Sequence, residues 1–227
     1  MKWQLLEGVP DENVQRLLKV ARRRSFRRGE VVFHRGDPAD SLHLVAKGRF
    51  AIRVMTPVGD QATIAVRGPG ESFGEMALVG EEASRSATVE ALEAAETFCV
   101  YETEFARLRG EHPAVNEFLI SLLAAEVSSM NERLLEALYL PVERRVLRRL
   151  IEVAQIYQRG ADEVVEIPLT QEEVAGLAGT SRATVNAVLG DAQSRGLLEL
   201  RRGRVTIVDG AGLAARAGIG ATVSIGP

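Results

Sequence analysis

No stretch of this chain leaves the backbone less choice than TQEEVAGLAGTSRATVNAVL, residues 170 to 189. Thr170 followed by Glu173 is a capping-box pattern, in which a hydroxyl and a carboxylate reciprocally satisfy the first free N–H groups of a helix. A helix is therefore predicted from Gln171 to about Leu177. Gly179 breaks it and makes a tight turn. Ser181 then caps a second helix, with Val185, Val188 and Leu189 as its buried stripe and Arg182, Ala183, Asn186 and Ala187 facing outward. Small Ala175 lets the two helices approach closely. Helical hairpins with a glycine turn are common. The Ser-Arg start of the outward face and the strand-like LLELRRGRVTIV that follows nevertheless suit a winged helix-turn-helix, whose second helix enters the DNA major groove.

A second constellation lies in ESFGEMALVGEEASRSATV, residues 71 to 89. A Gly-Glu turn at Gly74 and Glu75 is followed by an Arg-Ser step at Arg85 and Ser86. The planar guanidinium of Arg85 matches phosphate oxygens, and the Ser86 hydroxyl with nearby backbone N–H groups completes an anion site. Glu75 supplies an acceptor for a ribose hydroxyl, while Gly74 permits close approach of the backbone. Taken singly, Glu75 equally suits the cap of a short helix at Met76 to Val79, and Arg85 a surface pair with Glu81 or Glu82. Jointly, in this order, they suit the phosphodiester and ribose of a cyclic nucleotide.

Ahead of and around this cassette, a first helix is predicted near Asp11 to Ala21, and the runs VVFH, SLHLVAKG, RFAIRVM, QATIAVR, SATVEAL and ETFCVY are strand-like. Turn chemistry in RGDPAD, TPVGD and GPGES separates them, with Gly29, Gly36, Gly48 and Gly70 at turns. Many short strands so punctuated predict an antiparallel roll enclosing a pocket. From about Ala114 to Tyr139 the pattern becomes one long helix, in which Leu119, Leu123, Val127, Met130, Leu134 and Ala137 recur as a coiled-coil seam. Pro141 ends it. A second helix follows from Glu143 to Tyr157.

Composition restricts the remaining classes. With 227 residues, 46% of them hydrophobic, the chain buries a substantial core as one large or two small domains. From Val142 onward there are 11 Lys or Arg against 10 Asp or Glu, so DNA contact has to rest on local clusters such as Arg201, Arg202 and Arg204. The single Cys99 rules out an internal disulfide or a four-cysteine iron–sulfur cluster, and in TFCVY it reads as a small buried hydrophobe. His34, His43 and His112 are isolated and read as surface or barrel-edge residues without metal-ligand spacing. No apolar signal region begins the sequence and no run is long enough to span a bilayer, so a cytoplasmic protein is expected. A nucleotide-processing enzyme lacks its signature near the cassette: no metal-ligand cluster, Ser-His-Asp set or paired carboxylates.

With both motifs in place, the chain resembles the cyclic AMP receptor protein family, the Crp/Fnr superfamily of bacterial transcription regulators. The resemblance runs from about Leu6 to Val208 in the order ligand barrel, long helix, winged helix-turn-helix. It implies an α+β fold with a cyclic-nucleotide-binding β-roll at 1–113, a dimerisation helix and hinge at 114–141, and a winged helix-turn-helix at 142–208. Residues 209–227 are expected to make a short helical turn and then a mobile tail. The implied effector is a cyclic nucleotide, cyclic AMP first and cyclic GMP still open, held by Gly74, Glu75, Met76, Ala77, Arg85, Ser86 and Ala87. Anchoring on the Leu-x-Val hinge at Leu140 to Val142 places Met130 and Asn131 where relatives reach the adenine. This departs from the enterobacterial Thr-Ser pair, and Ser128 and Ser129 are alternatives. The resemblance also implies a homodimer through the long helix, palindromic double-stranded DNA as partner, and RNA polymerase as a further one. Arg182 matches the family's guanine-reading arginine, whereas Ala183 and Ala187 stand where enterobacterial relatives place Glu and Arg. Asn186 remains a polar candidate, and Thr170, Gln171, Ser181, Arg202 and Arg204 complete the expected DNA face. A regulator that needs no effector, its cassette purely structural, stays open.

Overall fold

The computed structural model describes residues 3, 11–56, 59, 61–78, 84–111, 114–158 and 164–219. The chain divides into two compact units, Met1–Val54 with Ala65–Met130, and Met55–Ile64 with Asn131–Pro227.

Helix α1 (Asp11–Val20) leads into eight strands, which belong to the first unit apart from residue 55 and residues 61–64: β1 (Arg22–Phe26), β2 (Val31–Phe33), β3 (Ser41–Lys47), β4 (Phe50–Met55), β5 (Gln61–Arg67), β6 (Ser72–Phe73), β7 (Thr88–Ala91) and β8 (Ala95–Tyr101). They form two four-stranded sheets, ordered β1-β8-β3-β6 and β2-β7-β4-β5. Strand β3 pairs antiparallel with β8 from Ser41↔Tyr101 onward, and residues 41–45 are buried on both faces. Because side chains alternate along a strand, Leu42 and Leu44 join a cluster with Trp3, Leu17, Val100 and Phe105, while Val45 joins Phe26, Phe50 and Phe73. Each such fully buried apolar side chain stabilises the fold by about 1.5–3 kcal/mol.

His43 points to the same side as Val45 and is 1% exposed, which corrects the expectation of a surface or barrel-edge residue. Its ring stacks on Phe73 at 5.0 Å. His34 is exposed, and His112 lies outside the described residues. Cys99 is fully buried, with its sulfur 3.8 Å from His43 Nε2.

Helix α2 (Glu102–Glu111) and the long α3 (Ala114–Tyr139) follow. The predicted seam on α3 splits into two environments. Leu119 is buried and Leu123 packs against the first unit's core, whereas Val127, Met130 and Leu134 are 56%, 62% and 57% exposed. Apolar spacing defines which residues share a helix face but not what covers it.

The second unit carries α4 (Val142–Tyr157), β9 (Glu166–Ile167), α5 (Gln171–Ala178), α6 (Arg182–Ser194), the hairpin β10 (Leu198–Arg201) and β11 (Arg204–Ile207), and α7 (Gly210–Ala217). Pro141 stands at the N-cap of α4, where its missing N–H costs nothing. The amphipathic α4 buries Val146, Leu147, Leu150, Ile151 and Ala154. Strands β10, β11 and β9 form one antiparallel sheet. The short helical turn expected after Asp209 is a full helix, while the tail expected beyond it falls largely outside the described residues. Residues 210–217 make a capped helix whose Leu213, Ala214 and Ala217 are buried, because a leucine and small alanines suffice to seat two turns against α4. Residues 220–227 lie outside the described residues.

Candidate functional site

The cassette is built on close backbone approach. Gly74 has φ +84°, and a Cβ there would meet Arg85 Nη1 at 2.8 Å and the Ser41 carbonyl at 2.9 Å. A side chain at this position is excluded twice, by conformation and by space. A 3-10 turn at Glu75–Leu78 follows, with Glu75 half-buried. Met76 and Ala77 lie on this turn, and their side chains are outside the described residues, as are residues 79–83 and hence Glu81 and Glu82.

Arg85 is fixed by the segment 36–41, from 44 to 49 residues away in sequence. Its N–H donates to the Asp37 carbonyl at 2.8 Å, and Gly36 N–H donates back to the Arg85 carbonyl at 2.9 Å. The residue is 4% exposed. Nη1 donates to the Ser41 carbonyl at 2.7 Å and to that of Gly74 at 3.3 Å. Nη2 donates to Asp40 Oδ1 at 2.9 Å and Ser41 Oγ at 3.0 Å. The guanidinium lies over the Phe33 ring, 3.9 Å from its centroid. Its Nε is buried with no hydrogen-bond partner among the described residues.

Burial holds the Arg85 guanidinium below its ordinary range, and the Asp40 carboxylate beside it pushes the other way. Asp40 is itself 65% exposed at its side chain, so water screens that compensation. An anionic oxygen brought to this guanidinium would offset the cost of burying its charge. Ser86 is exposed and Ala87 is buried. Asp40, Ser41 and Phe33 were not singled out in the sequence, where RGDPAD reads simply as turn chemistry. Among the described residues no cluster of three or more His, Cys, Asp or Glu is placed to hold a metal.

Behind Arg85, Ser41 Oγ leads to His43 Nε2 at 3.5 Å, and His43 Nδ1 lies 3.0 Å from Thr97 Oγ1. Burial, reinforced by Arg24 and Arg85, pushes the pKa of His43 down to about 3. The folded roll therefore favours the neutral ring. Burial likewise pushes the Cys99 thiol up. Met130 and Asn131 both sit exposed on α3.

The helix-turn-helix follows its local chemistry closely. Thr170 Oγ1 accepts from Glu173 N–H at 3.2 Å, and Thr170 N–H donates to Glu173 Oε2 at 2.8 Å. Gly179 closes α5 in the left-handed region at φ 60°, and Ser181 Oγ accepts from Thr184 N–H at 3.1 Å. On α6, Val185 and Leu189 are buried and Val188 is half-buried, while Arg182, Ala183, Asn186 and Ala187 are all exposed. Gln171 Nε2 donates to Asn186 Oδ1 at 3.1 Å, so the Asn186 carbonyl oxygen is already engaged. Arg202 occupies the tip of the β10–β11 hairpin, exposed beside Gly203. Arg204 is paired with Glu166, and a phosphate contact there has to displace that carboxylate.

A roll with a buried phosphate-type arginine and a separately folded winged helix-turn-helix together define a DNA-binding regulator with an effector domain. Residues 23–112 match the cyclic nucleotide-binding domain family and residues 144–216 the Crp-like helix-turn-helix domain family. Relatives include the CRP-like cAMP-activated global transcriptional regulator of Mycobacterium tuberculosis, 31% identical over 94% of this chain and 96% of its own. The cyclic AMP receptor protein of Thermus thermophilus is 32% identical, over 91% and 93% of the two chains. The crystal structure of the Thermus thermophilus catabolite activator protein superposes with a TM-score of 0.54 at 31% identity, covering 94% of this chain and 98% of that one. A c-di-GMP responsive regulator from Xanthomonas campestris shares the fold, with a TM-score of 0.71 at 22% identity over 87% and 99%. The chain belongs to the cyclic AMP receptor protein family of transcription regulators, within the Crp/Fnr superfamily.

Proposed function

We propose that this regulator is a homodimer whose DNA binding is controlled by a cyclic nucleotide, with cyclic AMP ahead of cyclic GMP. The observation that carries the reading is Arg85, a buried cation with an unsatisfied Nε beside a glycine that no side chain can replace. In this reading Arg85, Ser86 and the backbone at Ala87 hold the cyclic phosphate. Gly74, Glu75, Met76 and Ala77 line the ribose side, and Met130 and Asn131 on α3 meet the base. The cAMP-activated regulators among its relatives support cyclic AMP. Asn131 offers both a donor and an acceptor to a base edge, whereas Met130 offers packing and a weak sulfur contact.

Dimerisation is supported by the exposed apolar face of α3, where Val127, Met130, Leu134 and Leu138 are more than half exposed. Two-fold symmetry then presents paired α6 helices to a palindromic site, with Arg182 reading guanine and Thr170, Gln171, Ser181 and Arg202 at the backbone. On this reading the functional segments are 1–113, 114–141 and 142–208, the protein works in the cytoplasm, and RNA polymerase is a partner. The role is regulatory, not catalytic.

One observation favours a second reading, in which the cassette is structural and DNA binding needs no effector: Arg85 already has acceptors in Asp40, Ser41 and Gly74. Calorimetric titration with cyclic AMP and cyclic GMP, followed by affinity for a selected palindromic duplex with and without nucleotide, separates the two. Nucleotide binding that strengthens DNA binding supports control. No nucleotide binding, with full affinity for DNA, selects the effector-independent regulator.

A further inference from the structure

The C-terminal helix α7 occupies a position that its weak sequence pattern conceals. Asp209 caps it by accepting from Gly212 N–H at 2.8 Å, and Gly218 closes it in the left-handed region. Its inner face seats on α4 through Leu213, Ala214 and Ala217. Its one arginine in this stretch, Arg216, is only 27% exposed and bridges two carboxylates on different helices. Nη2 lies 2.7 Å from Glu143 Oε1, in the first turn of α4 directly after Pro141, and also contacts Asp191 on α6. Asp191 is held from its own helix by Arg195 Nε at 3.1 Å.

The far end of α7 is tied just as firmly. Arg148 donates from Nε to the Ala217 carbonyl and from Nη2 to that of Gly218, each at 3.1 Å. Its Nη1 lies 2.8 Å from Glu136 Oε1 on α3. Among the described residues α7 is thus linked by charge-assisted contacts to α3 through Arg148, to α4 through Glu143, and to α6 through Asp191.

From these contacts we infer that Arg216 is a positioning residue for DNA recognition, and that α7 is the strut that sets the angle of α6 against the hinge-side end of α4. The inference rests on the DNA-binding role of α6 and not on nucleotide control. Asp191 and Arg182 are nine residues apart on one helix, a lever of about 13 Å at 1.5 Å per residue. A tilt of about 5° at Asp191 moves the Arg182 end by about 1 Å. That exceeds the tolerance of about 0.5 Å within which a binding constellation has to be held. Arg216 therefore acts on base contacts it does not itself make.

The test uses the full-length protein and a palindromic duplex recovered by selection from random DNA with the wild type. Affinity is measured by fluorescence anisotropy well below the melting temperature of every variant, so that a contact serving stability alone leaves it unchanged. Arg216→Ala and Asp191→Asn should each weaken binding about 3- to 10-fold. The double variant should be no weaker than the weaker single one, because both remove the same bridge. Arg216→Lys should recover part of the loss. The salt dependence should keep its slope.

If Arg216 instead touched a phosphate, Arg216→Ala would lower that slope by about one contact while Asp191→Asn, which removes a negative charge, would tighten binding. That pair of results overturns the inference. So does wild-type affinity in both single variants, which would leave the bridge a matter of packing. A wild type that selects no duplex would overturn the DNA-binding role and the inference together.

Discussion

Two arginines stand at the centre of the two candidate sites, and their surroundings are opposite. Arg182 is exposed at the start of α6, placed by the neighbouring Ser181 cap and a buried stripe on its own helix. Arg85 is almost wholly buried and held by Gly74 of its own cassette and by Asp40 and Ser41 from a distant part of the chain. An exposed arginine is free to exchange water for a base edge at little cost. A buried one has already given up its hydration, so its remaining unsatisfied donor makes an anionic partner worth more there. The candidate DNA face is thus a surface property of a short local motif, whereas the candidate ligand site is a property of the whole roll.

The sharpest way to break that contrast is to remove the buried arginine. Arg85→Ala should cost about 2–5 kcal/mol of cyclic AMP affinity, a loss of at least tenfold and up to thousands-fold by titration calorimetry. An unchanged dissociation constant would remove the ligand role of the cassette.

The next effect is read in acid. The folded-state pKa of His43 is about 3, below its unfolded value of about 6.5. The neutral ring is favoured by folding, so its contribution is complete above about pH 6.5 and is lost as pH falls toward 3. The slope is at most about 1.4 kcal/mol per pH unit. Thermal melts of wild type and His43→Gln across that window should diverge, with the wild type losing stability faster. Parallel curves would mean that His43 is not held neutral by its burial.

On the exposed side, Arg182→Ala should cost roughly 1–3 kcal/mol per half-site and relax the preference at one guanine. Retention of the wild-type base preference at every position in a binding-site selection would refute its role. Arg202→Ala, at the hairpin tip, should have the smallest effect. It should weaken all sequences alike and lower the slope of log affinity against log salt by about one phosphate contact per subunit. A sequence-dependent loss would instead make Arg202 a base reader.

What was legible from the sequence tracks how local each device is. The capping box at Thr170 and Glu173, the left-handed Gly179 and the Ser181 cap are all where the spacing predicts them, because each involves groups within four residues of one another. The turn glycines Gly29, Gly36, Gly48 and Gly70 all have positive φ. His43 reads as a barrel-edge residue from sequence because alternation alone cannot distinguish an inner strand buried on both faces, as β3 is, from a half-exposed one. Helix α7 was undervalued because glycines and alanines carry little apolar signal. The cue that remained was Asp209 three residues before Gly212, followed by Leu213.

Taken by itself, the amino-acid sequence determined the order of strand-rich region, long helix and helix-turn-helix, the outward face of the last, and the presence of Gly74 and Arg85 in one cassette. These follow from backbone conformation, capping and periodicity, which act over a few residues. Only the tertiary structure decided that Arg85 is paired with Asp40 and stacked on Phe33, that Leu119 and Leu123 turn inward while Val127 and Leu134 do not, and that Arg216 bridges α4 and α6. Those outcomes depend on which surfaces meet once the sheets and helices pack, and burial is a property of the assembled fold that no short stretch of sequence carries.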